Sequence, residues 1–336
     1  MTAIEKVVLV TGGAGFLGRH VCERLIKQGK TYVICLDNLV TGNWSNIDDF
    51  VNSPIYSPHF HFVHHDITRP IKLEHILPGL FNHVDEIYHL ACIASPDKYK
   101  EYAIETLMTS FQGTKNVLDL AKEFTKQGKI CKVLFTSTSE VYGDPLVHPQ
   151  PEDYYGNVNT MGERSCYDEG KRVAETLIYE YRRKYGLDVK IVRLFNTYGP
   201  YMDINDGRVI TNFIKQIMAN KPVQIYGDGS QTRSFCYVDD LICGLFAMMA
   251  SQEVGPINLG NPYCEFTLNQ LVHVFEKVVG QKVQVQYLSA TENDPKQRKP
   301  DITKAHEALG FSPIIDLEDG LCILMNHFCN MSRASN

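Results

Sequence analysis

The sequence predicts an α/β fold: a doubly wound parallel sheet with a smaller α/β C-terminal lobe. Three observations predict it. An apolar run, VVLV, leads straight into a glycine turn, TGGAGFLG. Apolar strand-like runs then alternate with helical stretches as far as Asn196, the order that gives parallel strands joined by crossover helices. Beyond Asn196 the alternation loosens into stretches rich in Gly, Pro, Asp and Asn, as loops and short strands require. A chain of 336 residues also exceeds the size at which one core usually stops growing. Two lobes are expected, 1 to 196 and 197 to 336, with some segments of the second returning to the first.

In chain order, VVLV reads as a strand buried on both faces, and an amphipathic helix follows from 16 to 28. Gly12, Gly15 and Gly18 are spaced GxxGxxG, a variant of the Rossmann dinucleotide fingerprint. Glycine there allows a tight turn and lets backbone amides approach a pyrophosphate at the helix N-terminus. YVICLD ends the second strand on Asp37, about 20 residues past the glycines, where a carboxylate accepts from ribose hydroxyls. That charge repels a 2′-phosphate, and DNLVTGN supplies no arginine to reverse the preference, so NAD is expected rather than NADP. HFHFVHHDIT forms the third strand, with Asp66 and Ile67 at the end that reaches an adenine. Its His59, His61, His64 and His65 read more simply as one wet strand face than as metal ligands. EIYHLA is the fourth strand, 103 to 126 a long helix, KVLFTST the fifth strand and DVKIVRLFN the sixth. The fifth delivers Thr136 to Glu140 to the carboxyl edge of the sheet, where open α/β folds bind ligands. Helices at 267 to 279 and 302 to 309 belong to the second lobe, and a cleft is expected between the two lobes.

An apolar fraction of 44% and a charged fraction of 21% are those of an ordinary globular protein. The net charge of -6 leaves no basic footprint, which argues against nucleic acid or an anionic membrane as partner. The 10 cysteines are scattered singly with no CxxC, so they read as free thiols in a reducing compartment. No signal peptide is visible, and the longest apolar runs, such as LICGLFAMMA, are too short to span a bilayer. The expectation is a soluble cytoplasmic protein without a metal site.

Tyr167 and Lys171 stand four apart in CYDEGK, so a helix there projects both from one face. Bringing a phenol from about 10 to about 7 takes about 4 kcal/mol of preference for the phenolate. An ammonium beside it in a partly desolvated cleft supplies that, and such a tyrosine is a base. Pairs of this spacing also arise by chance on helices; its partners distinguish this one. Arg208, Arg233 and Arg298 stand in polar or Gly-rich surroundings, where they either clamp a diphosphate or form ordinary solvated surface.

Glycine turn, Asp37, a Ser/Thr strand end and YxxxK together resemble the NAD-dependent extended short-chain dehydrogenases that act on nucleotide sugars. TSTSEVYGDPLVHPQPEDYYGNVN, CYDEGKRVAETL, NTYGPYMDINDGRV, YGDGSQTRSFCYVDDL and QRKPDI narrow the resemblance to the UDP-glucuronate decarboxylases, over nearly the whole chain. The related 4,6-dehydratases usually carry an aspartate where Ser139 stands, to protonate a leaving 6-hydroxyl, and the 4-epimerases usually lack a glutamate at the position of Glu140.

The resemblance implies that Tyr167 is the catalytic base, that Lys171 binds the nicotinamide ribose and lowers the tyrosine pKa, and that Thr138 bonds the reacting sugar. Glu140 and Arg298 are implied as further active-site groups. NAD is placed against Gly12, Gly15, Phe16, Leu17, Gly18, Asp37, Asn38, Thr41, Asp66, Ile67, Leu90, Thr197 and Arg208. UDP is placed against Asn196, Val209, Asn212, Tyr226 and Arg233, with Arg298 also on the substrate side. A homodimer through the helices at 103 to 126 and 165 to 185 is implied as well. The implied reaction oxidises UDP-glucuronate at C4, releases CO2 from the β-keto acid and reduces the product to UDP-xylose. Three departures stand out: LACIASPDK for LASPASPP, Met108 for the lysine of TLKTN, and Tyr201 for the arginine of GPRM. The alternatives are a nucleotide-sugar 4-epimerase or 4,6-dehydratase and, further off, a non-catalytic NAD(H)-binding sensor, which has no use for Tyr167, Lys171 and Thr138.

Overall fold

The apolar runs become seven parallel strands of one sheet in a computed structural model that describes residues 4–76, 82–289 and 297–334. They are β1 (Lys6–Thr11), β2 (Thr31–Asp37), β3 (Phe60–His64), β4 (Glu86–His89), β5 (Lys132–Thr138), β6 (Val189–Leu194) and β7 (Ile257–Leu259). Their spatial order is β7-β6-β5-β4-β1-β2-β3. Val8, Leu9 and Val10 of β1 are wholly buried, as they must be in a strand covered on both faces. The order reverses between β1 and β4, where the connections diverge to opposite sides and leave a crevice at the carboxyl ends.

Helix α1 (Phe16–Lys27) follows the glycine turn. The single long helix expected from 103 to 126 is instead α2 (Ala103–Met108), a π turn (Thr109–Gly113) and α3 (Thr114–Lys126). Neighbouring segments cross closely at this turn. A Cβ on Gly113 would lie 2.5 Å from Ile67 Cδ1, and one on Gly170 of the next helix would lie 3.0 Å from Ser110 Oγ. That next helix, α4 (Ser165–Tyr185), stops at Gly186 in the left-handed region, φ 69°, with Arg182, Arg183 and Lys184 in its last turn where the helix dipole favours cations.

Beyond β6 the chain builds α5 (Val209–Met218), α6 (Val238–Ala250), α7 (Leu268–Val279), α8 (Thr303–Leu309) and α9 (Leu317–Ala334). Short paired strands link them, Val223–Tyr226 with Val285–Leu288 and Thr232–Ser234 with Glu265–Thr267. The run LICGLFAMMA lies in α6 and packs on the sheet, the Phe246 ring 5.4 Å from that of Tyr88. β7 joins the sheet beside β6 although it comes from the C-terminal part of the chain. One buried apolar cluster accordingly runs from Val8 and Cys22 through Phe213 and Leu245 to Phe275 and Phe328, with no break between sheet and lobe. Among the described residues no helix is long and apolar enough to cross a membrane.

Candidate active site

One cavity of about 1590 Å³ opens along the carboxyl edge of the sheet and continues under α5. Every residue named above for NAD or the UDP-sugar, from Gly12 to Arg298, lines it.

At the β1 end the wall is backbone. The three glycines have separate tasks. Gly12 sits at φ 73°, and a Cβ there would come within 2.8 Å of Ala91 Cα; a Cβ on Gly18 would strike Gly12 O at 2.1 Å, so the helix packs hard on the turn. A Cβ on Gly15 would meet only Gly12 O, at 3.2 Å, which leaves its other side open. α1 begins after Gly15, its N-cap, without a capping side chain, which leaves its first amides open to an anion. Asp37, 7% exposed at the end of β2, accepts from the amides of Ala14 (3.0 Å) and Leu39 (2.8 Å). Burial pushes its carboxyl up, and these amides counter it. Each oxygen keeps a lone pair for a ribose hydroxyl. Helix N-terminus, open glycine and buried acceptor together fit a dinucleotide such as NAD.

β5 and α4 bring the reacting groups together. β5 ends in Thr138, whose hydroxyl caps the turn that follows it, accepting from Glu140 N at 3.3 Å, and bonds the Tyr167 phenol. Tyr167 is buried, and the ring of Tyr99 is stacked on it at 5.2 Å and 9°. Burial pushes Tyr167 well up, and Thr138 and Arg208 oppose it, while Lys171 lies one turn further along the same helix. Its Nζ donates to Thr136 O at 2.7 Å, bonds the Cys92 thiol and lies 4.7 Å from the Phe135 ring centre. Burial lowers the Lys171 ammonium itself. Burial also holds His89 down at about 3, with the Lys171 charge adding to it, so the imidazole between Thr11 and Thr114 is neutral.

Glu140 faces this pair from the other side. Its Oε1 accepts from Arg298 Nη1 and its Oε2 from Arg164 Nη2 at 2.7 Å. Burial works against the charge, yet the guanidiniums, Arg298 ahead of Arg164, overcome it and hold the carboxyl at about 2. Arg298 is therefore bonded to Glu140 and Gly143 O, not loose on the surface, and its Nε is buried without a protein acceptor. Arg208 is held by Asp206 at 2.9 Å and Ala94 O at 3.0 Å, and Arg233 donates to Thr232 O. Of the residues expected to hold UDP, Asn196 Nδ2 is buried without a protein acceptor, Asn212 bonds Gly207 O, and Tyr226 is half-exposed at the rim. Of the departures, Met108 is partly exposed on the cavity wall. Tyr201 sits 4.9 Å from the His327 ring, with the Arg19 guanidinium 4.6 Å from its own ring centre. Among the described residues no three His, Cys, Asp or Glu side chains converge as a metal ion needs.

Sequence reasoning missed Tyr99, Arg164 and Asp168. Helical spacing could have placed Arg164 and Asp168 on one side of the first turn of α4. Nothing local in the sequence announces Tyr99, which reaches Tyr167 from the short helix Pro96–Glu101.

Residues 8–260 match the NAD dependent epimerase/dehydratase family. UDP-glucuronic acid decarboxylase 5 of Arabidopsis thaliana is 46% identical over 321 residues, 96% of this chain and 89% of the relative. UDP-glucuronic acid decarboxylase 1 of Xenopus tropicalis is 44% identical over 324 residues, 96% of this chain and 72% of the relative. Among solved structures, the UDP-glucose 4-epimerase of Thermotoga maritima with UDP-glucose superposes with a TM-score of 0.86 at 28% identity, over 97% of this chain and 99% of that one. The UDP-glucuronic acid 4-epimerase of Bacillus cereus, in complex with UDP-glucuronic acid and NAD, gives 0.84 at 28% identity, again over 97% and 99%. The chain belongs to the NAD dependent epimerase/dehydratase family, and within it stands with the UDP-glucuronic acid decarboxylases.

Proposed function

We propose that the protein converts UDP-glucuronate to UDP-xylose and CO2 with NAD as a resident cofactor. The observation that carries the reading is the juxtaposition of Tyr167 and Thr138 with a Glu140 carboxylate clamped by Arg164 and Arg298. Ser139, buried beside them, has no acid to offer a 6-hydroxyl, which a dehydratase needs and a decarboxylase does not.

NAD, when bound, takes up the hydrogen and electron pair of sugar C4 and later gives them back, so the reaction consumes no oxidant. Tyr167 removes the C4 hydroxyl proton at its Oη, with Thr138 bonded to the same oxygen. Burial of the phenol means that a cation must arrive with the ligands before it ionises readily, and the charge of Arg208 acts in that direction. The 4-keto sugar acid then breaks its C5 to C6 bond, releasing CO2 and leaving the electron pair on the C4 oxygen. Tyr167 and Thr138 stabilise that oxyanion. Glu140, fixed by two guanidiniums, orders the donor that protonates C5, and Arg298 holds the substrate carboxylate in place. Asn196, Val209, Asn212, Tyr226 and Arg233 hold UDP, and the unpartnered Asn196 amide is a donor suited to a phosphate oxygen.

Proton NMR of UDP-glucuronate incubated with the protein, with and without added NAD, tests this. UDP-xylose should appear without accumulated NADH. Tyr167→Phe should lower turnover by about a thousandfold and leave NAD affinity nearly intact. Epimerised or dehydrated UDP-glucose with untouched UDP-glucuronate would overturn the proposal.

Two further readings belong here. Ile104 and Leu107 of α2, Phe111 of the π turn and Val173 of α4 form an apolar face exposed by 38% to 74%, which suits a second copy of the chain. Phe111→Glu should then yield a monomer in sedimentation, and an unchanged mass would exclude this face. The cysteines, all free thiols, suit a reducing cytoplasmic setting.

A further inference from the structure

Asp168 follows Tyr167 on α4 and has no part in the mechanism above. It is 7% exposed, and its Oδ1 is fully buried without a protein hydrogen-bond partner. A carboxyl survives such a place only if its surroundings compensate the charge or it keeps a proton. Four elements surround it. Arg164, Cys166 and Glu169 come from the region of its own helix, Glu140 from the turn after β5, Arg298 from the segment that returns from the second lobe, and Tyr99 from Pro96–Glu101. The Tyr99 hydroxyl is likewise buried without a partner, while its ring lies against Tyr167 at 5.2 Å and 6.0 Å from the Arg164 guanidinium. Two carboxyls and two guanidiniums thus share one water-poor corner. Glu140 is bonded to both arginines and stays an anion; Asp168 is bonded by side chain to neither. Whether the corner carries one positive charge or none is decided at Asp168.

We propose that Asp168 is a positioning residue that sets, by holding or releasing one proton, the net charge of the Glu140, Arg164 and Arg298 corner and so its grip on the carboxylate of a sugar acid. The inference rests on the decarboxylase reading. Burial, with the Glu140 charge behind it, raises the Asp168 carboxyl to about 7 against the pull of Arg164 and Arg298, so the exchange falls in the neutral range. Below that point the corner is cationic and holds the acid; above it the attraction is lost, while the diphosphate end of the ligand is unaffected.

The test uses the NAD-loaded wild-type enzyme and compares its KM for UDP-glucuronate with its inhibition constant for UDP-glucose, which lacks the carboxylate. The ratio of the two should rise about tenfold between about pH 6 and about pH 8.5, as loss of one partly screened charge dictates. Asp168→Asn keeps the shape and cannot ionise, so its ratio should stay flat at the low-pH value. A flat ratio in the wild type, or an undiminished rise in Asp168→Asn, overturns the inference while the decarboxylase reading stands. Absence of turnover at every pH overturns both. Should Asp168→Asn fail to fold, the wild-type ratio alone decides.

Discussion

Around the end of β1 the cavity wall is made of backbone and missing side chains: a positive-φ Gly12, an open Gly15 and a Gly18 pressed on the turn. Across the cleft the wall is charge, with Glu140, Arg164, Arg208 and Arg298 tied to one another, to Asp206 and to backbone carbonyls. The first region grips by shape and by the uncapped amides at the start of α1, partial charges that cost far less to keep from water than a full ion does. The second holds ions away from water, which is costly unless each is paired. A cofactor that stays through turnover suits the first construction. A substrate acid that arrives, loses its carboxylate and leaves suits the second, where charge can be balanced anew at each step.

The sharpest way to break this comparison is to add one methyl group on the shape side. In Gly18→Ala the new Cβ would stand 2.1 Å from Gly12 O and 2.6 Å from Gly13 Cα, and backbone cannot swing aside as a long side chain can. The turn must open, and NAD affinity should fall on the order of 100-fold or more. Fluorescence titration with NADH would measure it. Unaltered affinity would mean that shape does not govern this half.

The charge side should be more sensitive to acid than to volume. Glu140 has its folded value lowered to about 2 from an ordinary 4.5, so the stability it contributes is complete above the ordinary value and is lost as pH falls toward 2. By linkage that is about 3 kcal/mol. Asp168 runs the other way: raised to about 7 from 3.8, it favours the fold while protonated and withdraws that support as pH rises through the folded value. Between them the corner stabilises most near pH 4 to 5. Arg298→Met removes one of the two partners of Glu140 and should cost about 3 kcal/mol at neutral pH. Urea unfolding of both proteins at neutral and acid pH would show it, and an equal loss at both would contradict the assignment to Glu140.

How far the sequence could be read follows the same division. β1, β2 and β4 to β6 are largely apolar runs, β3 alternates His with apolar residues, and the GxxGxxG turn and Asp37 follow at the spacing that a βαβ unit needs. β7 has only three residues, and α5 (VITNFIKQIM) comes directly after the Gly- and Asp-rich NTYGPYMDINDGR, which hides its start, so neither announces itself as a sheet strand or a helix. In the site, four-residue spacing put Tyr167 and Lys171 on one face correctly. It could not say that the Lys171 ammonium is tied to the Thr136 carbonyl, nor that burial raises the phenol. Spacing along a helix determines direction, whereas desolvation depends on what other segments bring, here Tyr99 from a different helix and Arg298 from beyond β7.

Asp37 is a buried charge on the shape side, and replacing it separates the two constructions within a single residue. Its carboxylate accepts from Ala14 and Leu39, and Gly42 packs so closely that a Cβ there would lie 2.7 Å from Asp37 Oδ1. Asp37→Asn keeps the volume and one acceptor oxygen but removes the charge and turns the other oxygen into a donor. Because burial already raises the carboxyl, part of what is lost as a ribose acceptor is regained as relief from desolvation. NAD affinity should therefore fall only about tenfold, one good hydrogen bond to a charged group. NADP decides the interpretation. If NADP binds Asp37→Asn about as well as NAD does, electrostatic repulsion alone enforced the preference. If NADP is still rejected, the close packing of Gly42 and the Ala14 turn excludes the 2′-phosphate, and shape governs the cofactor half even at a charged position.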